Sequence, residues 1–295
     1  MDVQFDRIRF ISGDNDGKYP FNHSLYLEGE NTRVIIDPAC SQQKLADLKQ
    51  KDGVDQIWLS HWHEDHIRYV NIFTDCPLWI SARDFPPLTD LDIFLDWYGI
   101  KEAGLRDQWK KEMLDNFSYL PKKEAHFFQD EETIDLGSLS VQVIPTPGHT
   151  PGHLSFFFPD EGIIFLGDYD LTSFGPWYGD IYSSIEQTIK SIHRLKAIHA
   201  RRWIASHNTG LFEENPGRLW DGYENVIYQR EERILKFLNK PKTLEKMLSA
   251  WLIYGKPREP RELFEFNEHV LLGKHIEYLE RRGKIMLDNN QYVKV

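Results

Sequence analysis

The segment 57–66, Ile-Trp-Leu-Ser-His-Trp-His-Glu-Asp-His, places three histidines and an aspartate within six positions, directly after a short apolar run. The run Gln56–Leu59 has the length and composition of a buried strand, so the polar cluster is predicted to lie where a strand ends. Open α/β sheets bind ligands at such strand ends. Neutral imidazole and carboxylate are ligands for zinc, iron and manganese. The spacing therefore favours a metal site over a polar loop in which histidines occur together by chance.

The pattern H-x-H-x-D-H after a strand resembles the first metal motif of the metallo-β-lactamase superfamily. Three later segments supply similar pieces in the expected order: Thr146–His153 resembles the second metal segment, Gly167-Asp168 the bridging aspartate, and Ser206-His207 the last ligand. The resemblance covers roughly the first 210 residues and is specific to the fold, but not to a substrate. It implies an α/β fold of four layers, an αββα sandwich whose ligand loops collect at one edge.

The same resemblance implies a dinuclear metal site. The ligands would be His61, His63 and His149 for the first ion, Asp65, His66 and His207 for the second, and Asp168 as the bridge. Ions about 3.5–4 Å apart can share a hydroxide at neutral pH and polarise the oxygen of a carbonyl or phosphoryl group. Asp65 and Asp168 are accordingly the predicted catalytic carboxylates. Zinc is favoured, although such a ligand set also accepts iron or manganese.

Several residues near these motifs allow two interpretations of their role. Asp37 is predicted to support the metal site from behind, or else to end a strand in an ordinary turn. His153 is expected to lie within a strand, in a structural or supporting role. Asp170 competes with Asp168 for the bridging position, but the Gly167-Asp168 pair at a strand end fits that position better.

The loop 169–180 carries aromatic residues directly after the predicted bridging aspartate. We expect it to line the substrate pocket. In this interpretation Tyr169 or Tyr178 donates a hydrogen bond to a developing oxyanion, and Trp177 forms an apolar wall together with Trp62. The alternative is that these aromatic side chains only pack against a helical insertion over about 85–129.

The pattern of apolar residues divides the chain into a catalytic domain, residues 1–212, and a C-terminal domain, residues 213–295. Apolar residues recur at helical spacing within about 85–129, which predicts a helical insertion that either roofs the metal site or only packs. Three apolar helical stripes and a terminal hairpin over 284–295 predict a small helical domain resembling a winged helix, an arrangement also appended to lactamase-like ribonucleases.

Charge and composition restrict the partners. The net charge is −11, yet residues 226–295 carry 14 Lys+Arg against 10 Asp+Glu. The acidic larger part would repel nucleic acid, and the tail would attract it only weakly. Two cysteines predict no disulfide framework. No apolar stretch reaches membrane-spanning length, and the start of the sequence does not resemble a signal peptide, so we expect a cytoplasmic protein without a membrane partner.

The resulting hypothesis is a metal-dependent hydrolase that uses a metal-bound hydroxide on a small ester, thioester, lactone or related carbonyl substrate. Glyoxalase II itself is disfavoured, because the C-terminal region shows no basic set for glutathione. The alternative is a phosphodiesterase resembling lactamase-like ribonucleases, but only 39 positions separate Asp168 from His207, too few for the inserted domain of the β-CASP nucleases. An iron-dependent persulfide dioxygenase and a non-enzymatic scaffold are further alternatives. The C-terminal domain is predicted to pack or to form a homodimer rather than to bind nucleic acid.

Overall fold

Two β-sheets lie face to face in the computed structural model of the chain, which describes residues 1–295. The first sheet has seven strands in chain order: β1 (Val3–Phe5), β2 (Ile8–Ile11), β3 (Ser24–Glu28), β4 (Arg33–Ile36), β5 (Gln56–Trp58), β6 (Leu78–Ile80) and β7 (His126–Phe127). Neighbouring strands are antiparallel from β1 to β4 and parallel from β4 to β7.

The second sheet has six strands: β8 (Thr133–Asp135), β9 (Ser140–Pro145), β10 (Leu154–Phe158), β11 (Ile163–Phe165), β12 (Arg202–Ile204) and β13 (Leu211–Phe212). They follow one another across the sheet in sequence order. All pairs are antiparallel except β11 with β12, which are parallel.

Side chains alternate between two hydrophobic cores along each strand, because successive residues of a strand point to opposite faces. In β3, Leu25 and Leu27 join a core shared by both sheets, whereas Tyr26 packs on the outer side with Leu45 and Leu48. Both faces are covered, so the strands are apolar at nearly every position.

Helices cover both outer faces of the paired sheets. They are α1 (Gln42–Lys51), α2 (Glu64–Ile67), α3 (Pro86–Thr89), α4 (Leu91–Trp97), α5 (Ala103–Asp115) and α6 (Ile185–Lys196). Side chains of α1, α2, α4 and α5 pack in the outer core of the first sheet, and those of α6 pack on the second. The predicted αββα sandwich is therefore confirmed, and α3 to α5 occupy the predicted helical insertion.

The C-terminal part is helical up to a final hairpin, as the sequence predicts. It contains α7 (Gly217–Phe237), α8 (Leu244–Ser249), α9 (Arg261–Arg281), β14 (Ile285–Asp288) and β15 (Gln291–Lys294). Trp220 and Leu272 share one core with Ile164 and Trp203 of the second sheet, so these helices pack directly on the sandwich. The boundary at residue 212 and the likeness to a winged helix remain predictions. None of the helices is both long and apolar enough to cross a membrane.

Candidate metal centre

Three imidazoles from two separate loops converge at the edge of the sandwich. His61 and His63 follow β5, and His149 lies in the loop between β9 and β10. His61 Nε2 lies 3.0 Å from His63 Nδ1 and 3.2 Å from His149 Nε2, and the last two atoms are 3.0 Å apart. Asp168 Oδ2 completes this group at 3.3 Å from His149 Nε2.

A second group lies on the other side of the Asp168 carboxylate. His66 Nε2 and His207 Nε2 are 3.3 Å apart, and Asp65 Oδ2 is 3.4 Å from His207 Nε2. Asp168 Oδ1 lies 2.9 Å from His66 Nε2 and 3.3 Å from His207 Nε2. Asp168 thus presents one oxygen to each group, which is the arrangement of a bridging carboxylate.

The spacing of these atoms fits the ligand set of a metal ion. Ligands about 2.0–2.1 Å from a tetrahedral zinc ion lie about 3.3 Å from one another, and most of the observed separations fall close to that value. Asp168 Oδ1 is buried and receives no hydrogen bond, although a buried carboxylate oxygen normally has a partner. The residues present therefore fit a pair of cations.

Hydrogen bonds behind the first group fix the orientation of its imidazoles. The Ser60 hydroxyl donates to Asp37 Oδ2 (2.6 Å), so its oxygen is free to accept from His61 Nδ1 at 2.9 Å. His63 Nε2 faces both oxygens of Asp180 at 3.2 Å, and His149 Nδ1 faces the Trp177 carbonyl at 3.0 Å. With protons on these outer nitrogens, the inner nitrogens direct lone pairs at one point.

The second group is oriented in the same way. His66 Nδ1 lies 2.8 Å from Asp37 Oδ2, and His207 Nδ1 lies 2.9 Å from the Gly17 carbonyl and 3.0 Å from that of Phe21. Asp37 also accepts a hydrogen bond from Ser60 N–H. It therefore supports the centre from behind, as the sequence predicts.

The loop that carries His149 is held tightly against its neighbours. Gly148 has φ of +135°, and a Cβ atom there would lie 2.3 Å from Thr188 N at the start of α6, so only glycine fits. The buried Asp84 accepts hydrogen bonds from the Thr150 hydroxyl and from Gly152 N–H. Burial raises the pKa of Asp84 to about 8.

The two groups differ in their affinity for protons. Burial lowers the pKa of His63 to about 4 and that of His149 to about 3, so both imidazoles are neutral, as metal ligands require. Burial also acts to lower the His207 pKa, but the carboxylates of Asp168 and Asp65 together outweigh it and raise that pKa to about 9. A cation in the second group would have to displace this proton.

A cavity of about 550 Å³ opens onto both groups. His63, Asp65, His149, Asp168 and His207 form its floor. Its walls come from the helical insertion, the loop after Asp168 and the C-terminal region. Glu64 also lines the cavity, but its carboxylate accepts hydrogen bonds from the hydroxyls of two tyrosines, Tyr19 and Tyr98.

Two of the predicted substrate contacts are wrong. The Tyr169 hydroxyl donates to the Thr146 carbonyl at 3.1 Å, and the Tyr178 hydroxyl bonds Arg230 and His275, so neither can reach an oxyanion in the cavity. Both side chains are buried. These tyrosines pack because the apolar face of the C-terminal helices covers their loop.

The two tryptophans of the predicted apolar wall have different positions. Trp177 lines the cavity, as expected. Trp62 is wholly buried in the outer core against Phe94 and does not line the cavity, which corrects the prediction for that residue.

Asp170 lines the cavity but lies outside both ligand groups. His153 accepts a hydrogen bond from Asp168 N–H at 3.1 Å, which agrees with a supporting role.

The C-terminal helices hold the loop after Asp168. Arg230, buried in α7, donates to the carbonyls of Phe174 (2.7 Å) and Pro176 (3.0 Å). Lys274 of α9 donates to the Ile181 and Ser183 carbonyls. This loop supplies Asp180, which faces His63, and the Trp177 carbonyl, which faces His149. The C-terminal region therefore helps to orient these two predicted ligands.

Sequence reasoning missed the roles of Asp180, Ser60 and Asp84. Asp180 stands in a loop already expected at the pocket, but nothing in its spacing links it to a histidine 117 positions earlier. Ser60 directly precedes the ligand motif, which was the only available signal for its role. Asp84 follows β6 in an otherwise ordinary turn.

Comparison with known proteins identifies the family. The model of the metallo-beta-lactamase superfamily matches residues 19–207, well over half of the chain. The chain belongs to this superfamily. A hydroxyacylglutathione hydrolase of Methylococcus capsulatus is 40% identical over 181 residues, which cover 60% of this chain and 57% of that enzyme. The Beta-lactamase-like protein 2 homolog of Drosophila melanogaster is 24% identical over 90% of this chain and 87% of its own length.

Solved structures show the same fold over the full length. A metallo-beta-lactamase family protein from Thermus thermophilus has a TM-score of 0.73 at 20% identity, covering 98% of this chain and 99% of that protein. A beta-lactamase domain protein from Burkholderia ambifaria has the same TM-score at 14% identity, with 100% and 94% coverage. The match therefore includes the C-terminal region. The family match, the relatives named as hydrolases and the ligand groups confirm the predicted class of a hydrolase of this superfamily.

Proposed function

We propose that the chain is a dinuclear metal-dependent hydrolase of a small ester, thioester, lactone or related carbonyl compound. The observation that carries this proposal is the pair of ligand groups, joined by the two oxygens of Asp168, at the floor of a cavity of about 550 Å³. A cavity of this size accommodates a small molecule.

The geometry of the two groups supports the assignment of ligands that the family resemblance implies. His61, His63 and His149 would bind the first ion, Asp65, His66 and His207 the second, and Asp168 would bridge them. Zinc is the proposed metal, and a relative from Bacillus subtilis named a probable zinc-dependent hydrolase, 26% identical over 69% of this chain, supports that choice. When bound, such ions lower the pKa of water and polarise a carbonyl oxygen.

The side chains of the chain itself have three tasks in this reaction. Asp65 presents a carboxylate oxygen to the cavity and is the group that can accept a proton from the attacking water. The buried partners of the histidines hold each imidazole in one tautomer and one orientation. The aromatic walls orient the substrate and limit access of bulk water to the reacting carbonyl.

Names of relatives support a carbonyl substrate. One relative, from Cryptosporiopsis sp., is named an atrochrysone carboxyl ACP thioesterase and is 22% identical over 83% of this chain. The net charge of −11 disfavours a phosphodiester polymer, because the acidic chain would repel a polyanion.

The test compares hydrolysis by the metal-free and the zinc-loaded protein on a panel of esters, thioesters, lactones and one activated phosphodiester. We expect zinc-dependent turnover of carbonyl substrates, which Asp168→Asn abolishes. Asp160→Asn, a change of the same chemistry in the surface turn between β10 and β11, should leave turnover intact. Turnover of the phosphodiester alone, or equal rates with and without zinc, would contradict the proposal.

A further inference from the structure

The C-terminal region forms one complete wall of the cavity. It contributes six lining residues from a single stretch: Tyr254, Arg258, Leu263, Phe264, Phe266 and Asn267. Asn267 accepts a hydrogen bond from Trp177 Nε1 at 3.3 Å, which ties this wall to the loop after Asp168. The wall is therefore continuous with the metal centre and belongs to the substrate pocket.

The wall adds several aromatic side chains to the lining of the cavity. Tyr254 lies 5.1 Å from Phe174 on one side and 5.1 Å from Phe264 on the other, measured between ring centroids. Opposite them, Phe266 lies 6.0 Å from Trp109 of the helical insertion. Rings at these separations present flat apolar surfaces and bind another ring favourably.

Two cations line the same cavity without an acidic partner. Lys18 and Arg258 are both exposed, and neither forms an ion pair with a carboxylate of the chain. The Arg258 guanidinium lies over the rings of Tyr254 (5.3 Å) and Phe264 (5.9 Å), which holds it at the aromatic wall. Its N–H groups are therefore available to an anionic group of a ligand that contacts the same rings.

We propose that the substrate is an ester or thioester that joins an aromatic acyl group to an anionic leaving group. The aromatic side chains that line the cavity bind the acyl part, and Arg258 and Lys18 bind the anionic group of the leaving group. This inference rests on the proposed carbonyl hydrolase activity and specifies its substrate class.

Four synthetic thioesters test both features separately. Phenylacetyl and acetyl groups are each joined to thioglycolate, which is anionic, and to mercaptoacetamide, which is neutral. For the zinc-loaded protein we expect the highest kcat/KM with phenylacetyl thioglycolate. Replacement of the phenylacetyl group or of the carboxylate should each lower kcat/KM by about tenfold.

Variants assign each preference to its residues. Arg258→Met should reduce the preference for the anionic thioester by about tenfold and leave kcat/KM for the neutral one within about twofold. Phe264→Leu should reduce the preference for phenylacetyl over acetyl. Lys256→Met removes an exposed cation of the same loop that does not line the cavity, and it should change neither preference.

The outcomes separate the two claims. Hydrolysis of all four thioesters at similar kcat/KM would overturn the substrate class but leave the hydrolase activity standing. Equal loss of anion preference in Arg258→Met and Lys256→Met would also overturn the role of Arg258, because it would indicate a general charge effect. No zinc-dependent turnover of any of the four would overturn this inference, while the proposed function would fall only if the panel of esters, thioesters and lactones also showed no zinc-dependent turnover.

Discussion

Replacement of Asp180 by asparagine should weaken binding of metal at one ligand group only. Both Asp180 oxygens lie 3.2 Å from His63 Nε2, so the change keeps the shape of the side chain but replaces one accepting oxygen with an amide nitrogen that cannot accept the imidazole N–H. Loss of such a partner costs about 10- to 100-fold in metal affinity. A distance of 3.2 Å exceeds the ~2.8 Å of a strong charge-assisted bond, which places the expected loss near tenfold.

Asp37→Asn is the matched change behind the other group. Asp37 lies 2.8 Å from His66 Nδ1 and also accepts hydrogen bonds from Ser60 N–H and the Ser60 hydroxyl, at 2.8 and 2.6 Å. An amide in its place would turn a donor towards one of these groups. We therefore expect a loss near the upper limit of about 100-fold, or roughly 2.7 kcal/mol, at the second group.

The assay is a zinc titration of the metal-free protein against a chromophoric chelator, fitted with two affinities, with circular dichroism to verify folding. The same titration with cobalt reports changes in the geometry of each site. Asp180→Asn should lower the affinity of one site and Asp37→Asn that of the other. If either variant bound both equivalents as tightly as the parent, or if both variants weakened the same site, the assigned roles of these carboxylates would be refuted.

Three further substitutions test how the centre is held. Arg230→Met removes hydrogen bonds from a buried guanidinium to Phe174 O, Pro176 O and Tyr178 Oη, and should lower the free energy of unfolding by about 3 kcal/mol in urea denaturation. Asp84→Asn should remove a pH dependence of the free energy of unfolding. The pKa of Asp84 is about 8 in the folded protein, above its ordinary value of 3.8. The parent should therefore lose stability, on the order of 1 kcal/mol per pH unit, as the pH rises from the lower to the higher of these values. Gly148→Ala should cost more than about 2 kcal/mol, measured by thermal unfolding, because its Cβ would meet Thr188 N.

Two of these predictions have a matched control variant, and the third has an outcome that would contradict it. Arg233→Met, in an exposed position of the same helix, should change stability by less than about 0.5 kcal/mol; equal losses in both arginine variants would argue against the role of Arg230. An unchanged slope of stability against pH in Asp84→Asn would show that another group controls it. Gly222→Ala, in α7 with open space around the new Cβ, should stabilise the protein by about 0.5–1 kcal/mol, whereas a neutral Gly148→Ala would contradict the tight packing of the His149 loop.

The sequence predicts the sandwich and the ligand groups well because both depend on local patterns. Near-continuous apolar strands require cover on both faces. The four ligands between His61 and His66 lie within six consecutive positions, so their spacing is apparent from the sequence alone. The loop with His149 is identified by the resemblance of Thr146–His153 to the second metal segment of the superfamily.

The interpretation fails where a role depends on contacts between distant segments. Tyr178 is an aromatic residue in a pocket loop, but its burial is decided by Arg230 and His275, 52 and 97 positions later. The wall formed by Phe264 and Phe266 is not apparent either, because their helix carries apolar residues on more than one face. Homodimer formation and cytoplasmic location remain predictions from the sequence.

The central claim is that seven side chains from four separate segments of the chain form one centre for two cations. The most direct measurement is the zinc content of the protein, determined by elemental analysis after saturation and removal of free metal, for the parent and for Asp168→Asn. We predict two zinc ions per chain in the parent and one or fewer in the variant, since Asp168 presents an oxygen to each group. A parent that binds a single ion at saturation, or a variant that still binds two as tightly, would contradict the account.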